Sequence, residues 1–197
     1  GIPVWGDVEL AWRADAAELF GPRRTWLAVA GTHGKTTTTS MLEAICLEAG
    51  MAARACGNIG LPVTDVLLAE PRVDVLAAEL SSFQLHWAPS CRPDAGAKAR
   101  ALTGPVAVAG VDDEVAARLL AAAPAATRIG VRLGAPGPRE CGVVDGVLTA
   151  RIGGDDDGEV ALLSAVHVRP AGPAGVLDAL AASAVALSAG ARPEHVA

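Results

Sequence analysis

The chain has 197 residues, enough for about one domain with a substantial core. Hydrophobic residues make up 51% and charged residues 19%, which excludes a disordered chain and fits a globular one. A net charge of −6 excludes a sequence-independent nucleic-acid binder, because such a protein needs a basic face to displace phosphate counterions.

Taken in chain order, residues 26–29 read as a buried strand that ends at Gly31. Residues 35–49 read as a helix: Leu42, Ile45, Cys46 and Ala49 recur at helical spacing, and Gly50 supplies a stop. A short second strand is expected over 52–56. A helix over 62–69 carries proline in its first turn, where the missing N–H costs nothing. Residues 73–80 and 106–108 read as strands, 113–121 as a helix opening with acids at its positive end, and 128–133 as strand-like. Alternating strands and helices predict an open, mainly parallel, twisted α/β sheet with flanking helices. After Gly134 the pattern changes. Residues 135–138 are a loop, and 143–148 read as a small β-hairpin, since Asp145-Gly146 suits a type I′ turn. Residues 155–157, three aspartates, read as a solvated loop, and 176–189 as a last helix ended by Gly190.

Cys46, Cys56, Cys91 and Cys141 have no zinc-type spacing and read as buried free thiols. No apolar run is long enough to span a bilayer as a helix, and the first residues lack the basic-then-apolar order of a signal peptide. A cytoplasmic protein, a monomer with no membrane or nucleic-acid partner, is the expectation.

The sharpest motif is Gly31-Thr32-His33-Gly34-Lys35-Thr36-Thr37, placed between a strand and a helix. Glycines let the backbone curl so that several N–H groups and the helix N-terminus face phosphate oxygens. Lys35 would neutralise the β- and γ-phosphates, and the Thr36 hydroxyl would join a Mg²⁺ shell. The loop is shorter than the general phosphate-loop form, because Val stands at position 29 where a first glycine would fall. Glu79 ends an apolar strand, at the edge where parallel sheets bind ligands, and reads either as a magnesium ligand or as a rim charge.

Three strings in order are Gly31-Thr32-His33-Gly34-Lys35-Thr36, Gly57-Asn58-Ile59-Gly60 and Glu79-Leu80-Ser81-Ser82-Phe83-Gln84-Leu85. Together they resemble the Mur ligases of peptidoglycan synthesis, and most closely the D-glutamate-adding branch of actinobacterial type. The resemblance implies an ATP-dependent ligase with Mg²⁺. The carboxylate of UDP-N-acetylmuramoyl-L-alanine would take the γ-phosphoryl group, and the amine of D-glutamate would then displace phosphate. It implies that Gly31 to Thr37 hold the nucleotide, with Lys35, Glu79 and Lys98 catalytic. Thr36, Glu79 and Lys98 would hold metal; Lys98 matches a family lysine that becomes carbamylated. Asn58 and Ser81 match the muramoyl-substrate side; a turn asparagine is the alternative for Asn58, and a helix cap is an equally good reading of Ser81. A solvated helix lysine is open for Lys98. Residues 1–22 would be the end of a UDP-binding domain and its linker, 23–191 the ATP-binding central domain, and 192–197 the start of a linker onward.

The sequence also departs from the family. The resemblance implies a strand after Asp94, an Asn-containing turn and an acid–His–acid motif before the Lys98 helix. Here residues 92–96 run directly into Ala97-Lys98, and no His stands between His86 and His167. A lost strand and catalytic loop are therefore expected, leaving either a gap or a re-paired sheet. His33 stands where that branch usually has Asn and is more typical of the L-alanine-adding branch. On the adenine side, a family His-Asn-x-x-Asn pattern is replaced by residues 174–178; Asp178 takes the place of its last Asn and can accept but not donate a bond when ionised. A nucleotide-binding remnant without ligase activity is the alternative reading, with the L-alanine-adding branch as another.

Overall fold

The computed structural model describes residues 4–97, 101–152 and 158–196. The first half runs α1 (Asp7–Ala16), β1 (Thr25–Val29), α2 (Lys35–Glu48), β2 (Ala53–Gly57), α3 (Val63–Leu68), β3 (Val75–Glu79) and α4 (Ser82–His86). Then follow β4 (Ala95–Ala97), β5 (Val106–Gly110), α5 (Glu114–Ala122), β6 (Thr127–Val131), β7 (Glu140–Val144), β8 (Val147–Arg151), β9 (Val160–Ser164) and α6 (Pro173–Ser188). Among the described residues the nine strands form one sheet in the order β2-β3-β1-β4-β5-β6-β7-β8-β9. Pairing is parallel from β2 through β7 and antiparallel across β7–β8–β9.

Period-two alternation assigns each strand residue to one face of the sheet. Leu27, Val29 and Ala77 pack with Leu42 of α2 and Leu180 of α6. Trp26, Ala28 and Leu76 pack on the opposite face with Val8 of α1 and Val66 of α3. Ala107 and Ala109 of β5 lie under Leu120 of α5. Both faces of the central strands are covered, which is why these strands read as near-continuous apolar runs. The expected hairpin is present: Asp145 (φ 48°) and Gly146 (φ 76°) make the tight turn between β7 and β8.

One expectation is corrected. A strand does follow Asp94, where the sequence predicts its loss: residues 95–97 lie between β1 and β5, so of the two outcomes, a gap or a re-paired sheet, no gap is seen. Asp94 sets the strand there. Its N–H donates to the Trp26 carbonyl and its carboxylate accepts the Trp26 N–H, both at 2.8 Å. Arg23 also grips the carboxylate at 3.1 Å. The strand's described residues are 95–97, and only positions 98–105 separate Ala97 from Val106 of its parallel neighbour, where a dozen or more are usual. The buried side chains of Ala101 and Leu102 pin that connection to the sheet.

Helix α1 is not foreseen as an element, yet it is anchored tightly. Glu9, fully buried, accepts from Arg13 Nε at 2.7 Å and from the Ser90 N–H at 3.0 Å. Burial pushes the Glu9 carboxyl upward, but the hydrogen bonds from Ser90 and the Arg13 charge outweigh it and hold the group below the usual carboxylate range. Asp15, at the other end of α1, pairs with Arg24 at 2.8 Å, both side chains 1% exposed.

All four cysteines are free and buried. Burial raises Cys46 to about 11 and Cys56, Cys91 and Cys141 to about 12, with small contributions from nearby charges. The thiolate is the reactive form. At pH 8 a disulfide reagent is therefore expected to label none of them in the native protein and all four in denaturant, counted by absorbance. A thiol that reacts before unfolding would show that its element opens locally.

Candidate functional site

The loop of residues 30–34 leaves β1 beside β4, where the chain turns from one side of β1 to the other, and ends at the start of α2. Ligands collect at such crevices in open α/β sheets. Gly34 is the residue before the helix, in the left-handed conformation (φ 72°), and α2 has no side-chain cap. A methyl group on Gly34 would overlap the carboxylate of Asp178. Lys35 opens the helix, with its Nζ donating to the Thr32 carbonyl at 3.3 Å.

Two segments, the first turn of α2 and the loop after β2, converge on Glu79 at the end of β3. The Thr36 hydroxyl donates to its Oε2 at 2.8 Å, and Asn58 Nδ2 donates to its Oε1 at 2.9 Å. The Asn58 N–H also donates to the Glu79 carbonyl at 2.8 Å. Gly57 makes this approach possible: it has φ 99°, and a Cβ there would run into the Glu79 carbonyl oxygen. Glu79 is 2% exposed, so its two oxygens are fixed acceptors in a low-dielectric edge of the sheet.

Two cavities flank the loop. One, of about 440 Å³, is lined by His33, Gly34 and Thr37 of the loop region, Val108 and Gly110 of β5, and Asp178. The other, of about 410 Å³, is lined by Gly31, Thr32, Lys35, Asn58, Ser81 and Phe83. Ser81 is also the cap of α4: its Oγ accepts the Gln84 N–H at 3.1 Å while Gln84 Oε1 accepts the Ser81 N–H at 3.0 Å. The structure thus gathers Gly31 to Thr37, Asn58, Glu79, Ser81 and Asp178 around one junction. Lys98 lies outside the described residues, as do the aspartates at 155–157. Sequence reasoning does not single out Thr38, whose hydroxyl donates to Asp178 Oδ1 at 3.1 Å; its one signal is the threonine run after Lys35.

A parallel sheet with a glycine-rich strand-to-helix loop, a lysine at the helix start and a buried carboxylate beside the following threonine defines a phosphate-loop α/β domain. Residues 29–97 match the Mur ligase middle domain, and the chain belongs to that family. It is 51% identical to the UDP-N-acetylmuramoylalanine–D-glutamate ligase of Rhodococcus jostii, over all of this chain and 43% of that protein. It is 54% identical to the protein of the same name from Mycobacterium tuberculosis, over 96% of this chain and 42% of that one. The chain therefore spans less than half the length of the curated relatives it matches. The Rhodococcus alignment runs over 219 positions against 197 residues here, so this chain lacks segments that the relative has. Among solved structures, a UDP-N-acetylmuramoyl-L-alanyl-D-glutamate–2,6-diaminopimelate ligase superposes with a TM-score of 0.71 at 16% identity, over 96% of this chain and 49% of that one. A pseudomurein peptide ligase type C from Methanothermus fervidus gives 0.60 at 15% identity, over 88% and 48%. These two likenesses concern the fold alone. Among the described residues, no helix is long and apolar enough to cross a membrane.

Proposed function

We propose that residues 23–191 are the ATP-binding central unit of a cytoplasmic ligase that adds D-glutamate to UDP-N-acetylmuramoyl-L-alanine. The observation that carries this reading is the convergence of Thr36 and Asn58 on the buried carboxylate of Glu79, beside the Lys35 loop. The names of the relatives at 51–56% identity support the substrates.

The donor set fits Mg²⁺. Among the described residues there is no cluster of three His, Cys, Asp or Glu side chains that would make a dedicated metal cage. Mg²⁺ needs none: it takes one or two protein oxygens, and substrate phosphates and waters complete its shell. The Thr36 hydroxyl and the Glu79 carboxylate, 2.8 Å apart, are such oxygens. When bound, the ion supplies charge neutralisation at the β- and γ-phosphate oxygens. The chain's own residues position the rest. The N–H groups of the loop and of the first turn of α2 receive phosphate oxygens. Lys35 adds a mobile positive charge, and the apolar wall at Val108 and Gly110 takes the base. Asn58 and Ser81, lining the second cavity, face the carboxylate substrate. Transfer of the γ-phosphoryl group to that carboxylate gives an acyl phosphate, and the D-glutamate amine then forms the amide and releases phosphate. The catalysis asked of the protein is mainly positioning and charge neutralisation. Calorimetry with ATP tests the binding step: heat of binding that strengthens with Mg²⁺ is expected, and none with either would overturn the reading.

A second reading, in which this chain binds nucleotide without ligating, is favoured by the short connection at residues 98–105 and by the lack of any His between His86 and His167. With ATP, Mg²⁺, UDP-N-acetylmuramoyl-L-alanine and D-glutamate all present, this chain is expected to release no ADP above background. Turnover above about 1 per second, the low end for ordinary enzymes, would show that the missing loop is compensated.

A further inference from the structure

We propose that Asp178 is a positioning residue for the phosphate loop, holding Gly34 and the first turn of α2 in place from the neighbouring helix. The proposal rests on the nucleotide-binding reading above and gives it a supporting part. Asp178 stands on α6 and is 6% exposed. Its Oδ1 accepts from the Thr38 hydroxyl at 3.1 Å, and Thr38 is itself fully buried one turn into α2. The same carboxylate fills the space over Gly34, where a methyl group would collide with both of its oxygens. One side chain from α6 therefore touches the loop–helix junction on both sides of Lys35, Thr36 and Thr37.

The electrostatics agree with that geometry. The first turn of α2 carries no acid of its own. A carboxylate near the positive end of a helix is stabilising, and Asp178 delivers one from outside the helix. It reaches the first turn of α2 through the Thr38 hydroxyl. Asp178 also lines the 440 Å³ cavity with His33 and Thr37.

The test separates this role from a direct contact with the base. Affinities for Mg-ATP and for adenosine are measured by calorimetry on the wild-type chain and on Asp178→Ala, Thr38→Val, the double variant and Asp178→Asn. Asp178→Ala and Thr38→Val are each expected to weaken Mg-ATP by about tenfold or more while leaving adenosine unchanged, the scale of one hydrogen bond to a charged group. The double variant is expected to be no weaker than the worse single one, because both remove the same link. Asp178→Asn keeps a carbonyl oxygen that accepts from Thr38 and is expected to recover most of the affinity. Parallel loss of ATP and adenosine in Asp178→Ala, with Thr38→Val harmless, would overturn the proposal in favour of a base contact. A readout free of nucleotide is amide exchange at Thr38, whose N–H donates to the Gly34 carbonyl at 2.9 Å. Exchange there is expected to quicken in Asp178→Ala. If it quickens while the wild type binds no ATP, the clamp stands and the nucleotide reading falls; if it is unchanged, the clamp falls.

Discussion

Replacing Arg24 with alanine is expected to lower the folding stability of the chain by about 3–5 kcal/mol, the scale for breaking one side of a buried ion pair. Arg24 is 1% exposed, and every part of its guanidinium has work. Nη1 meets Asp15 Oδ1 at 2.8 Å, Nε donates to the Val73 carbonyl at 3.0 Å, and Nη2 donates to the Leu67 carbonyl at 3.2 Å. Asp15 Oδ2 in turn accepts the Arg24 N–H at 3.0 Å and the Trp26 indole N–H at 2.9 Å. The network joins α1, the start of β1, the end of α3 and the entry to β3. Alanine would leave a buried carboxylate without its cation and two buried carbonyls without donors, and burial makes each of these costly. Lysine would not rescue it, because one ammonium cannot reproduce three donors in a planar fork. Urea unfolding of the two proteins measures the effect. A loss below about 1 kcal/mol, typical of an exposed pair, would mean that water reaches this site.

The same network explains what the sequence leaves hidden. The central strands, α2 and α6 are legible because their burial is local in pattern: apolar runs for strands covered on both faces, helical spacing for helices. Helix α1 carries Val8, Ala11 and Trp12 at helical spacing, but Glu9 and Asp15 interrupt its buried side as charges. Those charges make sense only with Ser90, Arg13 and Arg24 beside them, and two of these partners lie outside the helix. Strand β4 is illegible for a similar reason. Residues 95–97, Ala-Gly-Ala, have no strand propensity to speak of; Asp94, bonded to Trp26 across 68 residues, puts them in register. At the site, the loop, Lys35 and Glu79 can be read from motif and strand end. The Thr38–Asp178 bond cannot, since 140 residues separate its ends and a threonine in a helix usually bonds its own backbone.

Replacing Lys35 with alanine is expected to weaken Mg-ATP binding by about ten- to a hundredfold, since each charge-assisted contact is worth about 1.5–3 kcal/mol. The structure separates this effect from folding. Lys35 is only partly buried, and among the described residues its side chain donates to the Thr32 carbonyl at a long 3.3 Å within its own loop. It takes no part in the cores on either face of the sheet. Alanine is also the best helix former, so the first turn of α2 gains slightly from the change. The unfolding midpoint should therefore stay where it is while affinity drops, the opposite of the Arg24 result. The loss should also be larger for ATP than for ADP, because a lysine at the helix start reaches the terminal phosphates, and it should be absent for adenosine. Calorimetry with the three ligands resolves the pattern. Equal ATP affinity in Lys35→Ala and the wild type would remove the loop from the nucleotide site altogether, and an equal loss for adenosine would move Lys35 from the phosphates to the base.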